Sequence, residues 1–302
     1  MPAGKDRSSD ALAGSLAIGG LRVAAPAFRL GVPSLTAAPE LDWLLGAHRD
    51  VEASPRPVAP APAARAPSRT GPGVVLDVTS VGPSVRIFRV GRPEGFVFEA
   101  GQSLKLSVDG AAVRRRYSIA SAPHEQHLEF CIEGVPGGAL TSRLFALRPG
   151  AQLTLASAAK GSFTLRTDKQ RHVLVATVTG IAPLRSMLRD ALARGTAEAA
   201  EFWVLHGASY ADELPYADEL TALASQHARI HYVPSVSRPW AARNQGWSGS
   251  RGRVDTLVLP TLQALGSKQD VAVYACGHPE MVRSVRDSLE PRGYLVLDEA
   301  YD

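Results

Sequence analysis

A change in hydrophobic grammar near residue 170 constrains the fold of this chain more than any other feature. Before it, short apolar runs alternate with period two, the spacing of strands with one buried face. Leu128, Phe130 and Ile132 point one way and Glu129, Cys131 and Glu133 the other. Similar runs occur at 74–81, 85–90, 104–108 and 153–155, separated by Gly and Pro turns. Residues 71–168 are therefore predicted to form a small antiparallel β-barrel. After the change, unbroken apolar runs lead into segments of helical spacing. Val173–Ala176 precedes a stretch in which Leu184, Met187, Leu188 and Leu192 share one helix face. Further strands are expected at 202–205, 230–233, 271–274 and 294–297, with helices at 215–226 and 279–290. This alternation predicts a doubly wound parallel sheet over 169–302, so the fold class is β-barrel plus α/β.

The 302 residues accommodate two such domains and leave an N-terminal extension, residues 1–70, outside both. Its last part is rich in Pro and Ala, a linker composition, and the whole extension is predicted to be disordered. Leu41–Leu45 could fold as a short turn on a partner, and a chance apolar cluster reads the same way. The run Ala11–Leu21 is broken by three glycines and follows charges of both signs, which is not the pattern of a secretory signal. No apolar run reaches the roughly 18 residues of a membrane-spanning helix. The balance of 33 Lys plus Arg against 29 Asp plus Glu is too mild to indicate nucleic-acid binding, but it suits an acidic or phosphorylated partner. Cys131 and Cys276 are the only cysteines, too few for a disulfide framework, a structural zinc finger or a four-thiolate iron-sulfur cluster. A reduced, cytoplasmic setting is expected. No metal site is expected either: the eight histidines include no His-Glu-x-x-His, and His124/His127 and His227/His231 lack an evident third ligand.

In open α/β sheets ligands bind beyond the carboxyl ends of the strands, which directs attention to the first strand-to-helix junction, Thr177–Pro183. Gly180 there permits close backbone approach and Pro183 suits a first helical turn, so Thr179 and Gly180 could present N–H groups to a pyrophosphate. A plain tight turn has the same sequence. At the end of the fourth predicted strand of this half, Cys276-Gly277-His278-Pro279-Glu280-Met281 would place a thiol in the same crevice; a buried structural cysteine is the alternative. Glu299 and Tyr301 follow the last strand, where a frayed end is the ordinary reading. In the barrel half, Arg114–Ser121 joins guanidiniums to an aromatic ring and hydroxyls at a strand edge, and the loop Val135–Ser142 joins glycines to a helix start. A solvated basic face and a simple turn would look alike.

Taken together and in this order, the motifs resemble the ferredoxin–NADP reductase family of flavoproteins from about residue 72 onward. Its Arg-x-Tyr-Ser signature is matched at Arg115, Tyr117 and Ser118, and its pyrophosphate loop at Gly138, Thr141 and Ser142. Its Thr-Gly-Ile-Ala-Pro motif is matched at Thr179–Pro183, its Cys-Gly-x-Pro-x-Met motif at Cys276, Gly277, Pro279 and Met281, and its terminal acid and aromatic at Glu299 and Tyr301. The resemblance implies a six-stranded antiparallel FAD-binding barrel followed by an NADP-binding domain. It implies that Arg115 pairs with the FAD diphosphate, Tyr117 packs on the flavin, Ser118 bonds near flavin N5, and Gly138, Thr141 and Ser142 hold the pyrophosphate. Cys276 and Glu299 would line the nicotinamide pocket and Tyr301 would stack over the flavin. Ser237 and Arg238 resemble the family's 2′-phosphate clamp, with Arg243, Arg251 and Arg253 nearby in sequence, which favours NADPH over NADH. Val178 departs from the family, standing where a glycine is usual, and Asp302 follows the tyrosine.

The implied activity is an FAD-dependent NADPH oxidoreductase exchanging electrons with a small acidic carrier, ferredoxin or flavodoxin, steered by Arg114 and Arg116. Two alternatives are the reductase component of a multi-subunit oxygenase and a non-catalytic flavin electron-relay subunit. In the relay reading the N-terminal extension is the docking element, and in general it is a candidate for docking a partner.

Overall fold

The computed structural model describes residues 72–108 and 113–301; the predictions for residues 1–70 and for Asp302 lie outside these residues. Six strands come first: β1 (Pro72–Val81), β2 (Val85–Gly91), β3 (Ser103–Val108), β4 (Arg115–Ser118), β5 (His127–Glu133) and β6 (Gln152–Leu155). A short helix, α1 (Thr141–Ala146), lies between β5 and β6. The strands pair antiparallel in the order β4-β3-β6-β1-β2-β5. The sheet curls until its two edges meet, because the Ala120 N–H just past β4 donates to the Glu129 carbonyl of β5 at 2.8 Å. Curling surrounds one core, in which Phe88 sits opposite Phe130 and Val90 opposite Leu128, packed on Leu104, Leu106 and Leu153.

Strand β5 keeps its alternation but is buried on both faces. Glu129 and Cys131 point away from Leu128, Phe130 and Ile132 as their alternation predicts, yet they too are buried, at 2% and 5% exposed. The second face of β5 is covered by the parallel-sheet half, where Ala182 joins Cys131, Val85 and Ala120 in one apolar cluster. Period two marks a strand but does not say whether its outer face meets water or another layer.

The second half contains β7 (Arg171–Thr177), α2 (Ile181–Ala193), α3 (Thr196–Ala199), β8 (Glu201–Ala208), α4 (Ala217–Gln226), β9 (Ile230–Val236) and β10 (Ser250–Arg251). It ends with α5 (Asp255–Leu265), β11 (Val271–Gly277), α6 (Pro279–Leu289) and β12 (Leu295–Ala300). These strands are parallel in the order β10-β9-β8-β7-β11-β12. The chain builds outward from β7 on one side, then returns to lay β11 and β12 on the other, so the switch point lies between β7 and β11. Helices cover both faces. Leu184, Met187 and Leu188 of α2 and Leu220 of α4 pack on one, and Val258, Leu262, Met281, Val285 and Leu289 of α5 and α6 on the other. Sequence periodicity did not reveal α5 or β10. The first carries Pro260 in its interior and has apolar residues on more than one face, while the second is two residues long.

Candidate active site

At the switch point two turns interlock through their glycines. A Cβ on Gly180 would lie 2.1 Å from the Cys276 carbonyl oxygen, and one on Gly277, at φ +128°, would lie 2.2 Å from Thr177 Oγ1. Thr177 Oγ1 accepts the His278 N–H at 2.8 Å, and the Gly277 carbonyl accepts the Tyr301 N–H at 3.0 Å. Gly180 thus serves the packing of β7 against β11, with the face that would carry a side chain pressed on the Cys276–Gly277 backbone. Pro183 is buried in α2 behind it.

This junction forms one wall of a cleft of about 1430 Å³ whose other wall is the barrel. Its volume exceeds the roughly 300–1,000 Å³ of a pocket for a single drug-sized ligand. Arg115, Tyr117, Ser118, Gly138 and Thr141 line the barrel side, while Thr179, Ser237, Arg238, Gly277, Met281, Glu299 and Tyr301 line the other. Ser142, Gly180, Pro183 and Cys276 are not on the wall: Ser142 is exposed on α1, and the other three are buried.

Ser118 is the meeting point of the two halves. Tyr301 Oη donates to Ser118 Oγ at 3.0 Å, and Ser118 Oγ donates to Glu299 Oε1 at 3.0 Å, joining side chains 183 and 181 residues apart. Parallel pairing places Glu299 beside Cys276 and so brings both to the end of the sheet. Burial raises the Glu299 carboxyl above its ordinary range, against the opposing pull of the Ser118 hydroxyl and the Arg116 guanidinium. Burial also drives the Cys276 thiol upward, although Tyr301 hydrogen-bonds it, so this cysteine stays protonated. Tyr301 is likewise held well above the usual phenol range, first by burial.

On the barrel side, the Arg115 guanidinium bonds only the Arg114 carbonyl, at 3.1 Å, among the described residues, which leaves its charge free of a carboxylate. The loop at Gly138 is closed to any side chain, since a Cβ there would lie 2.4 Å from Thr141 Oγ1 and 3.0 Å from the Val135 carbonyl. A free guanidinium beside a tightly turned, glycine-bearing loop is a donor set that fits a diphosphate.

The four arginines near β9 separate into two kinds. Arg243 pairs with Asp212 and Glu213 at 2.8 and 3.1 Å, and Arg253 pairs with Asp255 at 3.2 Å. Arg238 and Arg251 have aromatic neighbours instead: Arg238 donates to Tyr210 Oη at 2.9 Å, and Arg251 lies 4.9 Å over the ring of Trp240. Tyr210, which sequence reasoning missed, is also covered by Arg243 at 4.1 Å. His206 was missed as well. It is buried, its Nε2 lies 3.1 Å from the Val178 carbonyl, and Tyr232 Oη lies 3.3 Å from its Nδ1. No motif spacing signals either residue.

Comparison with known proteins bears on the same halves. The Oxidoreductase FAD-binding domain matches residues 72–165, and the Oxidoreductase NAD-binding domain matches residues 174–287. Ferredoxin–NADP reductase B of Sorangium cellulosum is 41% identical over 222 residues, covering 70% of this chain and 88% of that protein. The chain belongs to the ferredoxin–NADP reductase family. A crystal structure of a family member from Neisseria gonorrhoeae, with bound FAD and NADP, superposes with a TM-score of 0.68 at 25% identity, covering 76% of this chain and 98% of that one. The electron transfer component of toluate 1,2-dioxygenase from Pseudomonas putida is 30% identical over 206 residues, 68% of this chain and 58% of that protein. As a member of this family the chain is an oxidoreductase with FAD-binding and NAD(P)-binding domains. Relatives in the family work with electron-carrier proteins or oxygenase components. Among the described residues no helix is long and apolar enough to cross a membrane.

Proposed function

We propose that this chain is an NADPH-preferring, FAD-dependent reductase that exchanges single electrons with a small acidic carrier of the ferredoxin or flavodoxin kind. The observation that carries the reading is the convergence of Ser118, Glu299 and Tyr301 at the junction of the two sheets. Bound there, FAD supplies two-electron exchange with a nicotinamide and one-electron exchange with the carrier.

The chain's own residues bind, orient and move protons. Arg115 and the loop through Gly138, Thr141 and Ser142 hold the diphosphate, and Tyr117 packs beside the ring. Ser118 orients the reacting edge, with its hydroxyl held by Glu299 and Tyr301. Glu299 can take up or release a proton beside Ser118 Oγ, and its raised carboxyl retains that proton to a higher pH than a free carboxyl does. Tyr301 covers Cys276, so movement of the phenol ring aside would open the thiol, together with Thr179, Gly277 and Met281, to a nicotinamide. Ser237 and Arg238 take the 2′-phosphate; Arg251, also without a carboxylate among the described residues, is the second cation available to it. Arg114 and Arg116 are exposed and form no ion pair to a described carboxylate, which suits them to an acidic carrier.

Anaerobic titration with NADPH and with NADH, following flavin absorbance, tests this directly. Bleaching at much lower NADPH than NADH is expected. A flavin-loaded protein reduced by neither nucleotide would overturn the reductase reading in favour of an electron-relay role. The similarity to the toluate dioxygenase component keeps an oxygenase as the second candidate acceptor. We further propose that residues 1–70 dock the carrier in the cytoplasm. Deleting them should slow carrier reduction and leave dye reduction unchanged; an unaltered ratio would sink that idea.

A further inference from the structure

Helix α2 starts directly after Gly180, and three of its polar side chains reach the barrel. Arg185, 6% exposed, donates from Nη1 to the Ala120 carbonyl at 2.8 Å and lies 3.2 Å from Glu129 Oε1, both barrel groups. Its Nε and Nη2 each lie 2.9 Å from Glu219 Oε2 on α4, and its guanidinium lies 4.4 Å over the Tyr216 ring. One turn of helix carries two more rungs. Ser186 Oγ donates to the Ser121 carbonyl at 2.7 Å, and Arg189 bridges Glu125 and Glu219 at 2.8 Å each. Ser121 in turn accepts the Glu129 N–H at 3.1 Å.

We propose that Arg185 is a positioning residue that fixes the register between the nicotinamide-side loop at 177–180 and the flavin-side strand β4. This rests on the reductase reading above. The path is short and rigid at each step: Ser118 is two residues before Ala120, Ala120 is bonded to Arg185, and Arg185 is five residues from Gly180 along one helix. The type of interaction also matters. A buried ion network is weak as a source of stability compared with apolar packing, and its best-attested use is to specify register. Apolar surfaces slide with little penalty, whereas a planar guanidinium hydrogen-bonded to the Ala120 carbonyl on one domain and to Glu219 on the other, with Glu129 beside it, tolerates one arrangement. Transfer between bound groups requires reacting atoms about 3–3.5 Å apart, and a displacement of about 1 Å can cost roughly 100-fold in rate. A ladder that sets the distance from Ser118 to Thr179 therefore acts on the rate of transfer more than on nucleotide affinity.

The test uses flavin-loaded full-length protein carrying Arg185→Met, Arg185→Lys, Ser186→Ala or Arg189→Met. Three quantities are read: NADP⁺ dissociation constant, anaerobic single-turnover bleaching by NADPH, and amide exchange of segments 118–122 and 178–186. Arg185→Met should slow bleaching about 10- to 100-fold while the dissociation constant moves less than threefold, with faster exchange confined to the two segments. Arg185→Lys should recover only part of the rate, because it restores the charge without the fork. If Arg185→Met loses its flavin, the milder Ser186→Ala and Arg189→Met decide on the same split. Unchanged bleaching in flavin-loaded variants, or loss of rate matched by loss of affinity, overturns the proposal. If wild-type flavin is reduced by neither nucleotide, the reductase reading fails by itself, and unchanged exchange in both segments would still overturn the register claim.

Discussion

Val178 carries a testable conformational cost. Its φ is +44°, in the left-handed region that a β-branched side chain rarely occupies, on the turn between β7 and α2. Its carbonyl is held there by His206 Nε2 and by the Ile181 N–H. The left-handed conformation costs an L-residue about 1–2 kcal/mol. Replacement by alanine keeps this cost and loses two half-buried methyls, about 1 kcal/mol at roughly 0.8 kcal/mol per fully buried methylene. Replacement by glycine loses slightly more packing and adds about 0.5–1 kcal/mol of backbone entropy, but it removes the left-handed penalty. The usual order of the two small residues is thereby reversed, with Val178→Gly the more stable by about 0.5–1 kcal/mol. For a folded unit of this size 1 kcal/mol moves the melting temperature by about 2–4 °C. The glycine variant should therefore melt about 2 °C above the alanine variant, measured at one fixed excess of FAD because a bound ligand raises apparent stability. An alanine variant that melts at or above the glycine one would refute the strain argument.

The remaining predictions concern charge. Burial lowers His206 to about 4, with its bond to the Val178 carbonyl opposing, so the unfolded chain binds the extra proton between about 6.5 and 4. Stability is therefore lost as pH falls through that window, by about 3 kcal/mol for this group at about 1.36 kcal/mol per unit; His206→Gln should flatten the melting temperature between pH 7 and 4.5, and an unchanged slope would contradict it. Glu299 is raised in the folded state, chiefly by burial, so its charged form opposes folding above the ordinary carboxyl range. Glu299→Gln should stabilise at pH 7, with the gain shrinking as pH falls toward 4.5, while slowing turnover; equal gain at both pH values would count against a raised carboxyl. Arg238→Ala removes one charge-assisted hydrogen bond to the 2′-phosphate, worth about 1.5–3 kcal/mol, and should raise KM for NADPH about 10- to 100-fold without altering KM for NADH. Equal losses for both nucleotides would remove Arg238 from the clamp.

Legibility in the sequence followed the range of the interaction. Strand and helix periods are local, so both sheets could be read from runs such as Val173–Ala176, and α6 announced itself through His278-Pro279-Glu280, where His278 caps the Glu280 N–H. Pairing order is not local. Nothing in the run Leu128–Glu133 shows that Glu129 and Cys131 face Ala182 and Arg185 of the other domain. The position of Gly180 was legible, but its immediate partner, the Cys276 carbonyl, was not, because that contact spans two motifs about a hundred residues apart. Arg185 lies only two residues past Pro183, yet in sequence it is one more cation on an amphipathic helix. Its burial depends on Glu129, Glu219 and Tyr216 arriving from three other elements.

The interlocked turns give these separate observations a common physical cause. Gly180 against Cys276 and Gly277 against Thr177 leave no space for a Cβ, so the β7 and β11 ends approach closely enough for Glu299 and Tyr301 on the adjoining edge to reach Ser118. The same close approach commits the turn to a tight bend. The bend places Val178 in the left-handed region, where it projects into the cluster with Val85, Ala120 and Cys131 of the barrel. Backbone strain persists only where surrounding structure over-determines it. Here the determinants come from both sides: the glycine contacts and His206 from the parallel sheet, and apolar contact with the barrel. The strained residue and the Arg185 ladder thus flank one turn, and a change that loosens either should be felt at the distance between Thr179 and Ser118 before it is felt in the stability of either sheet.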